Sequence, residues 1–118
     1  MSAEAVIFPL LSALVAGRAY PDVAPSAAAL PRIVYQQVGG QAITYTEGTL
    51  PDKENARMQV ACWAATRLEA IELMKQAEAA LLAAPVIQVE ALGARQSAFE
   101  PDTGLYCSRQ DFSIWSAR

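Results

Sequence analysis

The residues whose types and spacing come closest to a catalytic motif are Asp102, Thr103 and Gly104, the tripeptide in which aspartic proteases carry a reactive carboxylate. That chemistry needs two carboxylates that share a proton, each placed at the end of an apolar strand. Here Glu100 and Pro101 precede the tripeptide, and no apolar run leads into it. Proline presets the φ angle of a turn and glycine accepts a positive φ. We therefore interpret this segment as a turn between two strands.

The other chemically suggestive pairs also have simpler structural explanations. Glu69 and Glu72 lie three positions apart on a predicted helix, but the chain contains no histidine to complete a metal site or to act as a general base. Cys62 and Cys107 have neither a metal-ligand spacing nor a CxxC spacing, and we expect both to be reduced core residues. The sequence therefore predicts no catalytic residues, no cofactor-binding residues, no metal ligands and no enzymatic activity.

Composition limits the remaining classes of protein. The 118 residues predict a single domain over residues 1–118. A net charge of −3 argues against a surface that coats nucleic acid, which needs clustered Lys and Arg. No apolar segment approaches the roughly 20 residues that span a bilayer, so we expect no membrane partner. Charged residues make up only 18% of the chain, below the roughly 25% of typical domains, which suggests a surface partly covered by a partner or by other copies.

The periodicity of apolar residues predicts two helices. Near the start of the chain, apolar residues recur at spacings of three and four, and Gly17 follows as a C-cap; this face comprises Val6, Ile7, Leu10, Leu11 and Leu14. Pro9 must then lie in the first turn or kink the helix. The second helix starts at Thr66 with a Thr-x-x-Glu capping box and must end by Ala84, before Pro85. Its predicted inner face comprises Leu68, Ile71, Met74, Ala77 and Leu81.

Four segments have the composition or alternation of strands. They are residues 32–38, ending at two glycines, residues 54–64, residues 86–92 and residues 105–115. Met58, Val60 and Cys62 share one predicted face, and Phe112 and Ile114 share another. The order α-β-β-α-β-β predicts an α+β fold, a two-layer sandwich with a mostly antiparallel four-stranded sheet and two helices on one face.

Several segments together resemble a known family. They are "GRAYPDVAP", "LPRIVYQQVGG", "RMQVACWAATRLEAIELMKQAEAAL" and "DTGLYCSRQDFSIW", and their order and spacing carry the resemblance from about Val6 to Trp115. The chain resembles the small tail completion proteins of long-tailed phages and prophages, which are similar in fold to siphophage tail terminator proteins. It departs from the family pattern at Ser108 and Gln110, where the last strand usually carries apolar residues.

The resemblance implies a structural virion protein of the tail or neck, assembled in the host cytoplasm and without enzymatic activity. Such proteins form a homohexameric ring at the head-proximal end of the tail tube. The ring ends tube polymerisation and joins the tail to the head connector. Its partners would be other copies of itself, the tail tube protein and the connector or neck protein, while DNA would pass through the lumen without specific binding.

Residues 41–54 are polar and include Gly48 and Pro51, so we interpret them as a long hairpin arm or loop that orders on assembly. The candidate assembly-contact residues in this arm are Tyr45, Leu50, Asp52, Lys53 and Glu54. An alternative of a different class is a small-ligand-binding α+β domain without catalysis, whose uncovered sheet face would form an apolar pocket. A dimeric enzyme that uses carboxylates alone is the third and weakest alternative.

Overall fold

The first helix forms where the sequence predicts it. The computed structural model describes residues 2–118, and α1 spans Ala3–Leu14. The Ser2 hydroxyl accepts a hydrogen bond from the Ala5 amide at 3.2 Å, which caps the helix. At the other end Gly17 has a φ of +87° and its amide donates to the Ser12 carbonyl at 2.9 Å. Pro9 lies in the helix interior with its side chain exposed, and not in the first turn.

Six strands form one sheet, joined by a second helix. The strands are β1 (Ala19–Pro21), β2 (Arg32–Gly39), β3 (Lys53–Ala64), β4 (Gln88–Ala91), β5 (Gln96–Glu100) and β6 (Leu105–Ala117), and α2 (Arg67–Leu82) follows β3. The sheet order is β1-β2-β3-β6, with β4 and β5 both pairing with the far edge of β6. Only β1 and β2 run parallel; the other pairs are antiparallel.

These observations confirm the α+β class and the mostly antiparallel sheet, and they correct the number of strands from four to six. The sequence reading missed β1 and β5. The first has three residues in a proline-rich connection, and the second has five residues without clear alternation. Both strands are too short for period-two alternation to stand out. The element order is therefore α-β-β-β-α-β-β-β.

The core lies between the helices and one face of the sheet. Alternate residues of the central strands enter it, and the cross-strand pairs Met58–Phe112 and Ala56–Ile114 share this face. The predicted inward positions of Phe112, Ile114, Met58, Val60 and Cys62 are confirmed. Both helices contribute buried side chains to this same cluster, among them Ile7, Leu11, Met74 and Leu81. Within residues 2–118, no helix covers the opposite face of the sheet.

The inner face of α2 differs from the prediction at its start. The Thr66 hydroxyl accepts from the Glu69 amide at 3.2 Å as predicted, but Leu68 is 78% exposed. The buried residues of the helix are Ala70, Leu73, Met74, Ala77 and Leu81. Two of these are alanines, which let the helix approach the sheet closely and which a search for large apolar residues ranks low.

The two residues that depart from the family pattern have side chains that point into the core. Ser108 and Gln110 are buried on the helix side of β6. The Gln110 amide donates to the Glu78 carboxylate at 2.7 Å and to the Gly93 carbonyl at 2.9 Å. Since a buried amide is costly only when it lacks partners, Gln110 is accommodated where an apolar residue is usual.

The molecule is elongated, with principal extents of 52 × 25 × 25 Å. Its radius of gyration is 15.1 Å, against about 13–14 Å for a compact domain of this length. The long strands β3 and β6 have 12 and 13 residues and would each extend about 40 Å. They therefore set the long axis, and the β2–β3 connection lies at one end of it.

Candidate functional site

The predicted arm begins at a pair of glycines where β2 ends. Gly39 and Gly40 have φ angles of +137° and +146°, which side chains rarely adopt. A Cβ atom at Gly40 would collide with the Asn55 carbonyl oxygen, whereas one at Gly39 would meet open space. The chain therefore leaves β2 in close contact with the start of β3, and glycine is needed at residue 40 for steric reasons.

Asn55 holds this end of the arm to the sheet. Its side chain is on the helix-free side of β3, and the residue is 9% exposed. Its Oδ1 accepts from the Gln41 amide at 2.9 Å, and its Nδ2 donates to the Ser113 hydroxyl at 2.9 Å and to the Ile114 carbonyl at 3.4 Å. One buried side chain thus connects the arm, β3 and β6.

Arg118 holds the other end. Its backbone amide donates to the Asp52 carbonyl at 2.9 Å, and its Nε donates to the carbonyl of the buried Pro51 at 3.0 Å. Its guanidinium also lies 3.6 Å from a carboxylate oxygen of Glu54. The arm is therefore fixed at both ends by contacts with the ends of β3 and β6.

Between these anchors the arm projects from the molecule. A turn closed by the Gly48 amide and the Tyr45 carbonyl at 3.0 Å forms its tip. Residues 41–50 are all exposed. Ile43, Tyr45 and Leu50 are among the exposed large apolar side chains, and Leu50 is 63% exposed. An exposed group of this kind between fixed ends is typical of a surface that a partner covers.

The five predicted contact residues do not form a single cluster. Tyr45 is at the tip, and Leu50 and Asp52 are on the returning segment. Lys53 and Glu54 are the first residues of β3 and pair with Ala117 and Ser116. Strand pairing begins at residue 53, so the last two residues of the predicted arm belong to β3. From here on, the arm means residues 41–52.

A second feature is the sheet surface that no helix covers, termed the helix-free face. It comprises Arg32, Val34 and Gln36 of β2, Arg57, Gln59, Ala61 and Trp63 of β3, and Cys107, Arg109 and Asp111 of β6. Most of these residues line an open groove of about 300 Å³, bordered by Asp22, Val23 and Ala24.

The helix-free face carries mostly positive charge. Arg57 and Asp111 form a salt bridge of 2.8 Å. Within residues 2–118, neither Arg32 nor Arg109 forms one. Arg32 donates from Nη1 to the Ala28 carbonyl at 2.9 Å, and its buried Nε has no acceptor among the described residues. Two guanidinium groups with free donors therefore lie on one face of a protein whose net charge is −3.

Neither cysteine is placed for nucleophilic chemistry. Both thiols are free and buried. Burial raises the pKa of Cys62 strongly, and burial raises the pKa of Cys107 to about 11 even though the nearby Arg109 opposes the shift. Since the thiolate is the reactive form, both groups are unreactive at neutral pH. Across residues 2–118, His, Cys, Asp and Glu side chains form no group that could hold a metal ion, and no helix is long and apolar enough to cross a membrane.

Sequence reasoning missed the anchors and the helix-free face. Asn55 and Arg57 alternate with apolar residues, and such positions are usually assigned to solvent. Arg118 contacts residues more than 60 positions earlier in the chain, a pairing that local patterns do not contain. The available signals were the Gly-Gly pair before the arm and an Asn at the start of the following strand.

Comparison with known proteins gives a family for this architecture. A family model described as "Tail completion protein gp17" matches residues 9–117. The chain belongs to this family. No curated protein matches the sequence. Among solved structures, 23 chains match. One is from a structure titled "Virion of native gene transfer agent (GTA) particle", with a TM-score of 0.67 and 13% identity over 99% of this chain and 96% of that chain. At this identity the likeness concerns the fold.

Family membership confirms the resemblance seen in the sequence. The chain is a structural protein of a phage tail, in a family that is generally non-enzymatic. The arm and the helix-free face offer surfaces for contact with other proteins.

Proposed function

We propose that this protein is the tail completion or terminator subunit that forms a homohexameric ring at the head-proximal end of the tail tube. The ring ends tube polymerisation and joins the tail to the head connector, and DNA passes through its lumen without specific binding. The subunits assemble in the host cytoplasm and remain in the neck of the virion.

The observation that carries this proposal is the two-ended anchoring of the arm. A segment that only linked two strands could be short, since hairpin loops of two to five residues are usual. This one has 12 residues, is fixed at Gln41 by Asn55 and at Pro51 and Asp52 by Arg118, and exposes three large apolar side chains. Fixed ends reduce the conformational entropy that binding would cost, so the arm is suited to contact another subunit.

The first experiment measures assembly directly. Light scattering at two protein concentrations and two salt concentrations gives the solution mass, and electron microscopy with purified tail tubes shows whether the protein binds tube ends. We expect a mass near six subunits, or a monomer that accumulates at tube ends. The proposal would be contradicted by a protein that stays monomeric, does not bind tube ends and does not stop the tubes from elongating.

A pair of leucine variants tests the arm within this experiment. Leu50→Ser removes an apolar side chain from the arm, and Leu68→Ser removes a leucine of comparable exposure from α2. Neither side chain is buried, so both variants should keep the thermal stability of the parent. We expect Leu50→Ser to weaken ring formation or tube-end binding about tenfold and Leu68→Ser to leave both unchanged. Equal effects of the two would remove the arm from the assembly mechanism.

The structure gives little support to the ligand-binding alternative. As predicted from the sequence, this alternative requires an apolar pocket on the uncovered sheet face, with a few convergent polar groups. The groove found there is open and includes the side chains of Arg32, Gln36, Gln59 and Arg109. A surface with this many hydrogen-bonding groups is better suited to a protein partner.

A further inference from the structure

We propose that the arm of one copy docks across the helix-free face of a second copy, with its tip in the groove between Arg32, Trp63 and Arg109. The inference rests on the proposed function, because it specifies which two surfaces meet at each junction of the ring. The arguments are the charge of the two surfaces, their apolar content and the reach of the arm.

The two surfaces have opposite charge. The arm contains Glu47 and Asp52 and no Lys or Arg, which gives it a charge of −2. The helix-free face has three arginines against Asp111, and counting Asp22 at the groove edge still leaves an excess of one positive charge. Complementary potentials of this kind orient partners and discriminate against incorrect contacts.

The arm and the groove also both expose apolar side chains. The arm exposes Ile43, Tyr45 and Leu50. The groove contains Trp63, Val34 and Ala61, which are partly exposed because no helix covers this face. Tryptophan and arginine are the residues most enriched at the energetic centres of protein interfaces, and here they adjoin each other.

The arm is too short to fill the groove of its own subunit. Asn55 fixes Gln41 at the start of β3, and Trp63 lies eight residues further along the same strand, about 26 Å away. From Gln41 to the tip at Tyr45 the arm has five residues, which extend at most about 18 Å. The arm therefore cannot place Tyr45 against Trp63 of its own subunit, and an arm that occupies this end of the groove belongs to another copy.

The contact is heterologous when the copy that receives an arm places its own arm in the groove of a third copy. Heterologous contacts of identical subunits generate rings when the rotation between neighbours closes. Reciprocal exchange of arms between two copies would instead give a two-fold dimer, and the solution mass of the parent distinguishes the dimer from the ring.

Photo-crosslinking tests the junction. Tyr45 is replaced by p-benzoylphenylalanine, and equal amounts of unlabelled and ¹⁵N-labelled protein are mixed, assembled alone or on purified tubes, and irradiated. We expect crosslinks that carry both labels and join the arm to the tryptic peptides 58–67 or 96–109, which contain Trp63 and Arg109. The control places the same photo-crosslinker at the exposed Gln76 in the middle of α2, where we expect no products that carry both labels and join it to these two peptides.

Other crosslinks would overturn the inference. They include products within one chain, products on α2 of another copy, and products found only on the tube protein or only with DNA present. If rings form and occupy tube ends while the crosslinks lie elsewhere, the docking inference fails and the proposed function stands. If neither rings nor tube-end binding occurs, the proposed function fails, and the inference fails with it.

A mixing experiment tests the direction of the contact. An arm variant carries Ile43→Ser, Tyr45→Ser and Leu50→Ser, and a face variant carries Gln59→Glu and Arg109→Glu. Each should associate at least about tenfold more weakly than the parent. An equimolar mixture should form dimers and no larger species, because only one intact arm can meet one intact face. Lys75→Glu, a matched change of charge on α2, should leave assembly unchanged. The mixture is tested under the conditions in which the parent assembles, alone or with purified tubes. There, a mixture without pairs of the two variants, or one that forms full rings, would refute the head-to-tail contact.

Discussion

Asn55 combines three hydrogen bonds in one nearly buried side chain, and it connects residues 14 and 59 positions away. Both N–H groups of its amide and the amide oxygen have partners, so it contributes order to the arm rather than chemistry to a site. The core residues on the opposite face of the same strands were predictable, because Met58 and Phe112 lie on regular alternations. The role of Asn55 was not, since its partners are distant in the sequence and alternation alone assigns it to solvent.

Asn55→Ala tests this role. The substitution removes the acceptor of the Gln41 amide and leaves Ser113 without its donor, so we expect a loss of about 1–2 kcal/mol in the free energy of unfolding. Urea denaturation measures the loss. Gln37→Ala, which changes an exposed amide on the neighbouring strand, should stay within about 0.5 kcal/mol of the parent. A variant as stable as the parent, with an unchanged arm, would show that Asn55 is not an anchor.

Burial of the Cys107 thiol predicts that the stability of the protein depends on pH. The pKa of Cys107 rises from 9.0 to about 11 on folding, so the unfolded chain loses the proton first as pH increases. The protonated folded state is therefore favoured less and less as pH rises from about 9 towards 11, and the protein should lose stability across this interval. The urea concentration at the midpoint of unfolding, measured between pH 8 and pH 11, gives the slope of stability against pH. Cys107→Ala should show a shallower decline, and an equal slope would assign the effect to other groups.

At the scale of elements, sequence patterns were informative where an element is long and locally determined. The capped helix α2 and the strands β3 and β6 are of this kind. The three-residue β1 pairs in parallel with β2 across a proline-rich connection, and only tertiary contact makes it a strand. The exposure of Leu68 and the burial of Ala70 have the same origin, because the approach of the helix to the sheet decides which side of it is covered.

The two glycines at the base of the arm allow a matched comparison. Gly39→Ala and Gly40→Ala both place a side chain at a strongly positive φ, but only the second brings a Cβ against the Asn55 carbonyl. The difference between the variants therefore reports the close approach alone. We expect Gly40→Ala to be less stable than Gly39→Ala by about 1–3 kcal/mol in urea denaturation. Equal losses would mean that the conformation, and not the contact, requires glycine.

At the scale of the whole molecule, two helices pack on one face of a sheet, and the arm projects from the sheet. The helix-free face carries the positive charge. The α+β class was predictable from the order of the elements, and the family was predictable from its resemblance in the order and spacing of several motifs. The helix-free face was not, because its groove is assembled from three strands and from residues 22–24, which come together only in the folded sheet.

Hydrogen exchange distinguishes the free subunit from the assembled one. In the free protein, residues 41–50 are exposed and make few backbone hydrogen bonds, so their amides should exchange within seconds, whereas β3 and β6 should be the slowest segments. In rings, or on tube ends, we expect the arm to gain protection of at least about tenfold. Mass spectrometry of peptides covering the arm measures this. An arm that exchanges equally fast in both states would not be part of the contact.

The central position of β6 has a consequence for synthesis. This strand pairs with β3 along its whole length and with β4 and β5 on its other edge, yet it follows all of them in the chain. While residues 105–117 are still inside the ribosome, none of these three strands can make its final contacts with β6. The sheet must therefore close after translation of that segment, and the arm base that Arg118 fixes forms last. Nascent chains should accordingly lack a complete docking surface until this segment has left the ribosome, which delays association to that point.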